Sequence, residues 1–418
     1  MLRSIRLSLR NLQRYRTRTA ITIMAVLISV LVSTATDGFI RGIFSMSIHN
    51  LCAYESAEVS VYSRGYFEKR KEYPNSELIM KEDLEDALQR LEKAGFGATP
   101  RYRTGAEIVF YSDEEGVEFD TNALLIGIDP VRDGSVFRLG ECIAEGSWLG
   151  KDEGVIVGSG IAEKLGLKVG SFITLSMSGR EGFAETIDEE VIGIINTENP
   201  VVNSSHILIP LAVLDEYLLL DGAVTEIAVS DRLPSDASPS MKSKAASAIG
   251  NPELEAYHYQ DVNDDLMAIM NADNGSSIVM LFFLFIIAAA GISNTMIMAA
   301  MERQKESAMM RAIGFSNSSI IRLFAYEGLI TGFIGAVIGT VIALIVMVPL
   351  SSAGIDLSTM IASDMDIGYR VPLILRPGIY WQSFAVIPAL AVLLSGLSAL
   401  LPLAGSGRKE IAELFRSV

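Results

Sequence analysis

Few side chains in this sequence could do chemistry. The three histidines, His49, His206 and His258, and the two cysteines, Cys52 and Cys142, have no spacing that would gather them around a metal ion. No Gly-x-Ser-x-Gly elbow presents a serine nucleophile, and no Gly-x-x-x-x-Gly-Lys-Ser/Thr loop offers a cradle for nucleotide phosphates. The residues therefore predict no catalytic centre, no metal site and no cofactor bound by this chain. Ninety positions separate Cys52 from Cys142, a spacing equally compatible with a disulfide and with two separate thiols.

The sequence does offer a surface that a partner could grip. Met301 to Gly314 reads MERQKESAMMRAIG, a charged run predicted as a short helix, with Gly314 suited to a left-handed C-terminal cap and Ser316 to the next N-cap. Along it Glu302, Arg303, Glu306 and Arg311 supply charge, while Met310, with Met309, supplies a flexible apolar contact for a groove. The plainer alternative is a charged connection between two apolar segments. Further on, Gly328, Gly332, Gly335 and Gly339 follow spacings of four, three and four, which strips one helical face of side chains. Such a face lets a neighbouring helix approach closely, and packing accounts for it better than a pore.

Composition says what must hold these features. At 418 residues, 50% hydrophobic, with a mean hydropathy of +0.36, the chain carries more apolar material than a soluble fold needs. Four uncharged windows hold the excess: Thr19 to Thr36, Asn274 to Met301, Gly328 to Ile355 and Pro377 to Gly407, of 18, 28, 28 and 31 residues. A hydrocarbon core about 30 Å thick needs roughly 20 apolar residues as helix, because that geometry satisfies the backbone without water. The predicted fold is membrane α-helical, with four transmembrane helices and a large extracytoplasmic mixed α/β domain between the first and second spans. A cleaved signal peptide is the competing account of the first window; the long, patterned basic segment ahead of it argues against that.

Charge sets the orientation. Arg3, Arg6, Arg10, Arg14, Arg16 and Arg18 precede the first window with no acid among them, which puts the N-terminus in the cytoplasm. Arg303, Lys305, Arg311 and Arg322, and then Arg408, Lys409 and Arg416, repeat the bias in the other inside segments. Leu2, Ile5, Leu9 and Leu12 recur at helical spacing opposite the arginines, as in a helix lying on the membrane surface. The boundaries that follow are a cytoplasmic amphipathic helix over 1–18 and spans over 19–40, 278–301, 323–350 and 382–403. The remaining segments are an extracytoplasmic domain with helical stalks over 41–277, a cytoplasmic coupling loop over 302–322, a short outer loop over 351–381 and a cytoplasmic tail over 404–418.

The whole chain has 50 acidic and 34 basic residues, nine and fifteen of them outside 41–277; the domain keeps 41 and 19, a net charge of −22. That excludes nucleic acid as a partner. The apolar period continues past Asp37 through Ile40, Ile43, Phe44 and Ile48, so one helix is expected from Thr17 to His49. Val262, Leu266, Ile269 and Met270 give a similar helical approach to Ile278. Between the two, strands are predicted over 107–111, 123–128, 172–177, 190–195, 206–209 and 225–229, and helices over 81–94, 161–165, 211–219 and 238–248.

The run from Glu302-Arg303 through Arg311-Ala312-Ile313-Gly314, with Glu327-Gly328 opening a glycine-rich span, resembles the FtsX-like permease family, the MacB-type class of ABC transporter membrane subunits. Leu9-Arg10-Asn11-Leu12 is similar to the family's N-terminal helix, and Gly127-Ile128-Asp129-Pro130, Glu145-Gly146 and Gly158-Ser159-Gly160 to its outer domain. One span, a large domain and three further spans look like the lipoprotein-releasing permeases of LolC/LolE type, without the fused ATPase domain of MacB. Ser307-Ala308 stands where the family commonly has Ile-Gly, a departure in the docking surface.

The resemblance implies a separate ABC ATPase subunit that uses ATP and Mg and grips Glu302, Arg303, Glu306, Met310, Arg311 and Gly314. It also implies a second permease copy or paralogue, lipoprotein or other amphipathic cargo, an extracytoplasmic acceptor and surrounding membrane lipid. The expected place is the bacterial cytoplasmic (inner) membrane, with both termini in the cytoplasm. The expected function is extraction of lipoproteins; the alternatives are MacB-like efflux of amphipathic small molecules or peptides and FtsX-like regulation of a cell-wall hydrolase.

Overall fold

The computed structural model describes residues 16–112, 117–150, 153–179, 182–231, 240–302, 309, 313–356 and 374–400. The expected amphipathic helix before residue 16, the tail after 400 and most of the loop over 351–381 lie outside the described residues. The described chain forms two compact units, a helical one drawn from 16–45, 269–356 and 374–400 and an α/β one over 46–268.

In chain order the helices are α1 (Arg16–Asn50), α2 (Tyr66–Lys69), α3 (Lys81–Lys93), α4 (Ser159–Leu165), α5 (Pro200–Ser205), α6 (Leu211–Leu218), α7 (Ser240–Ile249), α8 (Tyr259–Val262), α9 (Asp264–Glu302), α10 (Asn317–Ala353) and α11 (Trp381–Ser398). Among the described residues, Thr19–Glu55, Ser318–Ala353 and Trp381–Ser398 are long and apolar enough to cross a membrane. A shorter apolar stretch, Ile278–Gly291, lies inside the 39-residue α9. Val26 and Val30 of α1 are buried with Ala336 of α10 and Ala391 of α11, while Ile21, Met24, Ile28 and Val32 stay exposed. An apolar exterior of this kind suits a lipid solvent, not water. Helix α1 runs through Asn50, covering the stretch expected from the apolar period.

The α/β unit is built on β1 (Val59–Ser63), β2 (Phe96–Ser112), β3 (Val117–Ile128), β4 (Ile143–Gly146), β5 (Val155–Gly158), β6 (Phe172–Ser178), β7 (Ala184–Ile195), β8 (His206–Pro210), β9 (Glu226–Asp231) and β10 (Leu254–His258). Their order is β10-β1-β9-β2-β3-β8-β5-β7-β4, with β6 joining β2 to β7. The pairings return on themselves through β2, β3, β8, β5, β7 and β6, a closed circuit of six strands. Strand β2 makes this possible. It pairs β3 over Arg101–Ser112 and, on its other edge, β9 over Phe96–Arg101 and then β6 over Ala106–Val109.

Tyr102, Ile108, Leu125, Val157, Leu175 and Ile207, drawn from β2, β3, β5, β6 and β8, pack into one buried core. A second core lies under α3 and α7, where Leu84, Ala87, Leu88 and Leu91 recur at helical spacing and meet Val61, Ile227 and Ala245.

All six predicted strands fall on observed ones, in β2, β3, β6, β7, β8 and β9. The helix expected over 211–219 stops at Leu218 because Leu219 turns left-handed, with φ of +53°. The first residues of the helix expected over 238–248 lie outside the described residues, and α7 is described from Ser240.

Candidate functional site

Helix α9 ends at Glu302 and α10 begins at Asn317. Arg303, Glu306, Met310 and Arg311 lie outside the described residues. Past them, the Ile313 amide donates to the Met309 carbonyl at 3.1 Å, and Gly314 adopts φ of +96°, where a side chain would be strained. Ser316 is the N-cap residue of α10 by position, but its hydroxyl meets those of Ser318 and Ser319 and caps no amide. Its carbonyl instead accepts from Ser319 and Ile320.

The four glycines of α10 divide between two neighbours. A Cβ on Gly328 would sit 2.6 Å from that of Ala399, and one on Gly332 would sit 2.6 Å from that of Ser395, so this half faces the end of α11. On Gly335 and Gly339 it would come within 2.8 Å of the Ile23 and Leu27 carbonyls, so the other half faces α1. Ser395 Oγ donates to the Gly328 carbonyl at 2.8 Å, a bond the bare helix face leaves room for. Further along α1, Gly38 accepts from the Gly378 amide at 2.9 Å, and the Asp37 carboxylate accepts from the Ser383 hydroxyl.

In the α/β unit, polar side chains hold the end of α1 and the start of α9. After Asn50 the helix widens into a π turn, Leu51–Glu55. Asn50 Nδ2 donates to the Glu198 carbonyl at 3.1 Å, the Arg138 amide to the Ala53 carbonyl at 2.9 Å, and Asn199 Nδ2 to Glu55 Oε2 at 3.0 Å. Buried Asn199 also caps α5 by accepting from the Val201 amide.

At the start of α9, Arg70 donates to the Asp261 and Val262 carbonyls and to Asp264 Oδ1, the last at 3.0 Å. Lys71 pairs with Asp264 and Asp265. The hydrogen bond from Lys71 is the main reason the Asp264 carboxyl titrates below the ordinary range. A ring nitrogen of His258 accepts from the Asp261 amide and Asp261 Oδ2 accepts from the His258 amide, a reciprocal cap on α8. Burial lowers the His258 pKa, outweighing Asp261.

Two cavities adjoin these anchors. One of about 820 Å³ is lined by Glu55, Tyr73, Glu107, Asn122, Ser176 and His206 among others, where β6 ends and β7 and β8 begin. The second, of about 280 Å³, includes Glu55, Tyr73, Arg70, Arg103, Glu226 and Asn263. Tyr73, common to both, has φ of +50°, a left-handed conformation that costs a non-glycine residue about 1–2 kcal/mol. Arg103 Nε donates to Glu226 Oε1 at 2.6 Å; burial works against its charge, but Glu226, Tyr62 and Tyr73 together outweigh burial and the Arg103 pKa rises. Arg101 and Asp133 form a separate, fully buried forked pair beneath the Phe137 ring. Among the described residues no cluster of His, Cys, Asp and Glu could hold a metal ion, and Cys52 and Cys142 are separate thiols.

The family model described as MacB-like periplasmic core domain matches residues 19–248, more than half of the chain, and that described as FtsX-like permease C-terminal matches residues 278–411. The chain belongs to the FtsX/MacB-type family of ABC transporter permeases. The permease is 25% identical over 303 residues to the lipoprotein-releasing system transmembrane protein LolE of Haemophilus influenzae, across 70% of this chain and 71% of that protein. It is 20% identical over 357 residues to an uncharacterized ABC transporter permease of Methanocaldococcus jannaschii, covering 82% of each. Among solved structures, the periplasmic region of MacB from Actinobacillus actinomycetemcomitans is 14% identical, with a TM-score of 0.34, over 50% of this chain and 92% of that one.

The permease's anchors escaped the sequence reading. Glu55 and Asn199 are 144 positions apart and Arg70 and Val262 are 192 apart. Only the turn-forming character of Asn199-Pro200 gave a local signal.

Proposed function

We propose that the permease works with a separate ABC ATPase subunit, which binds ATP and Mg, and that ATP hydrolysis moves the α/β domain to extract lipoproteins from the bacterial inner membrane. Similarity to LolE across 70% of this chain carries the reading. Four spans, at 19–40, 278–301, 323–350 and 382–403, leave both termini in the cytoplasm and 41–277 outside. The apolar stretch Ile278–Gly291 within α9 supports the second span. The loop over 302–322 docks the ATPase: Glu302, Arg303, Glu306 and Arg311 pair with its charges, Met310 enters its groove, and Gly314 turns the chain toward α10. The unbroken run of α9 from Asp264 to Glu302 supports this, because a helix passes displacement along its axis while a loop absorbs it. Gly328, Gly332, Gly335 and Gly339 keep α10 close to its neighbours. A second permease copy or paralogue completes the transporter within the lipid, and an extracytoplasmic acceptor takes the cargo.

Mass spectrometry of what co-purifies with the permease in mild detergent under ATP-trapping conditions tests the proposal. A stoichiometric ATPase with acylated proteins is the expected result, and absence of any ATPase overturns it. An ATPase with a cell-wall hydrolase replaces extraction by regulation. The MacB-like core domain favours a second reading, efflux, which an ATPase with a bound small amphiphile or peptide would support. Glu306→Ala with Arg311→Ala is expected to abolish ATPase co-purification; an unchanged complex rules out docking at this loop.

A further inference from the structure

We infer that Arg70 is the positioning residue that fixes the start of α9 to the α/β domain, so that the helix follows the domain's motion instead of swivelling at its first turn. This rests on the proposed coupling of ATP hydrolysis to domain movement. Helix α8 ends at Val262, and only Asn263, with φ of −108° and ψ of 49°, separates it from α9. A break of this kind is a hinge unless something spans it. The carbonyls at the end of α8 also lack intrahelical partners, as at any helix C-terminus.

Arg70 answers both needs. It stands at the start of the short 3-10 turn Arg70–Glu72, and its guanidinium reaches Val262 O from Nε at 3.3 Å and from Nη2 at 3.1 Å. Nη2 also donates to Asp261 O at 3.3 Å and to Asp264 Oδ1 at 3.0 Å. One planar group thus binds the last residues of α8 and the first residue of α9. A lysine at position 70 has one compact ammonium and cannot fork in this way.

The other side of the guanidinium is held equally firmly. Nη1 donates to the Phe67 carbonyl at 2.9 Å, and the guanidinium lies 4.0 Å from the centre of the Phe67 ring. That ring stacks on Tyr257 of β10 with centroids 3.6 Å apart. The chain of contact runs from sheet to ring to guanidinium to helix, and the Arg70 side chain is only 13% exposed. Lys71 reaches the neighbouring Asp264 and Asp265, but it and Asp265 are 53% and 80% exposed, so solvent screens that pair.

Hydrogen exchange of the full-length permease, alone and with its ATPase, tests the inference with Arg70→Ala, Arg70→Lys and Lys71→Ala. The reporters are the amides of Asn263 and Met267, bonded to the Tyr259 and Asn263 carbonyls at 3.0 Å each. Arg70→Ala is expected to speed their exchange by about tenfold or more while β10 amides stay protected, since charged hydrogen bonds held this site closed. Arg70→Lys should behave like Arg70→Ala, and Lys71→Ala should stay within about twofold of the parent. Spin labels on the α/β domain should then show an ATP-driven distance change that Arg70→Ala and Arg70→Lys reduce by about tenfold with the ATPase still bound.

Unchanged exchange at Asn263 and Met267 in folded Arg70→Lys or Arg70→Ala protein overturns the inference. So does faster exchange with an undiminished ATP-driven change. A parent permease that shows no ATP-driven change with a bound ATPase instead defeats the proposed function, and the exchange data still read the tie by themselves.

Discussion

Where α1 passes into the α/β domain, most polar contacts are amide to carbonyl or amide to carboxylate, with Asn50 and Asn199 almost wholly buried and one guanidinium, Arg103, on the Glu55 carbonyl; where α9 begins, most are guanidinium and ammonium on carbonyls and carboxylates, several of them exposed. Buried amides are costly to leave unpaired and are sheltered from salt, whereas exposed ion pairs are individually weak and screened by it. The first helix is therefore held mainly by buried contacts, and the second by the largely buried Arg70 together with exposed pairs at Lys71 that solution conditions can adjust.

The largest expected effect is at the first anchor. Asn199→Ala removes the cap of α5 and leaves a Glu55 oxygen without its amide partner, so it should cost about 2–4 kcal/mol in urea unfolding of the detergent-solubilised permease. A loss under about 0.5 kcal/mol would erase the contrast between the anchors.

A smaller effect comes from acid at the second anchor. The His258 ring nitrogen that accepts from Asp261 must be unprotonated, and the ring's pKa is lowered by burial from its ordinary 6.5. The cap is then at full strength above pH 6.5 and is lost as pH falls through the lowered folded value. Protection of the Asp261 amide, corrected for intrinsic exchange, should fall over that range. His258→Asn, which accepts without titrating, should flatten the profile. The depressed Asp264 carboxyl follows the same sign further down: its pairing with Lys71 persists until pH drops below the ordinary carboxylate range.

The smallest effect is at Lys71. Lys71→Ala should leave the urea midpoint almost unchanged, and even that small difference should vanish in 1 M salt, where the Debye length is about 3 Å. A larger loss that persists in salt would mean that the second anchor is less exposed in solution than its geometry says.

What could be read from the sequence depended on whether the signal was local. Leu84, Ala87, Leu88 and Leu91 announce α3 because a helix repeats itself within four residues, and the long reach of α1 was legible from Ile40 to Ile48 for the same reason. Strands β1 and β5 were not among those predicted. Their residues are buried almost without alternation and number five and four, which removes the period that marks a half-buried strand. The glycine stripe of α10 stood out at once, but not its division between α11 and α1, since spacing says which face is bare and nothing about what meets it. Arg70 was hidden in the charged run from Glu68 to Glu72, where a burial-dependent role looks the same as a solvated face.

The closed circuit of six strands has one more consequence. A sheet edge exposes unpaired amides and carbonyls to any strand that drifts past, and a protein crowded on a two-dimensional surface meets its own copies often. By joining β2 to β7 through β6, the permease returns its sheet to its own starting strand, and the strand order ends in β10 and β4, only five and four residues long. Ends so short are poor templates for a neighbour's backbone, so the two ends of the strand order offer little for another copy to pair with.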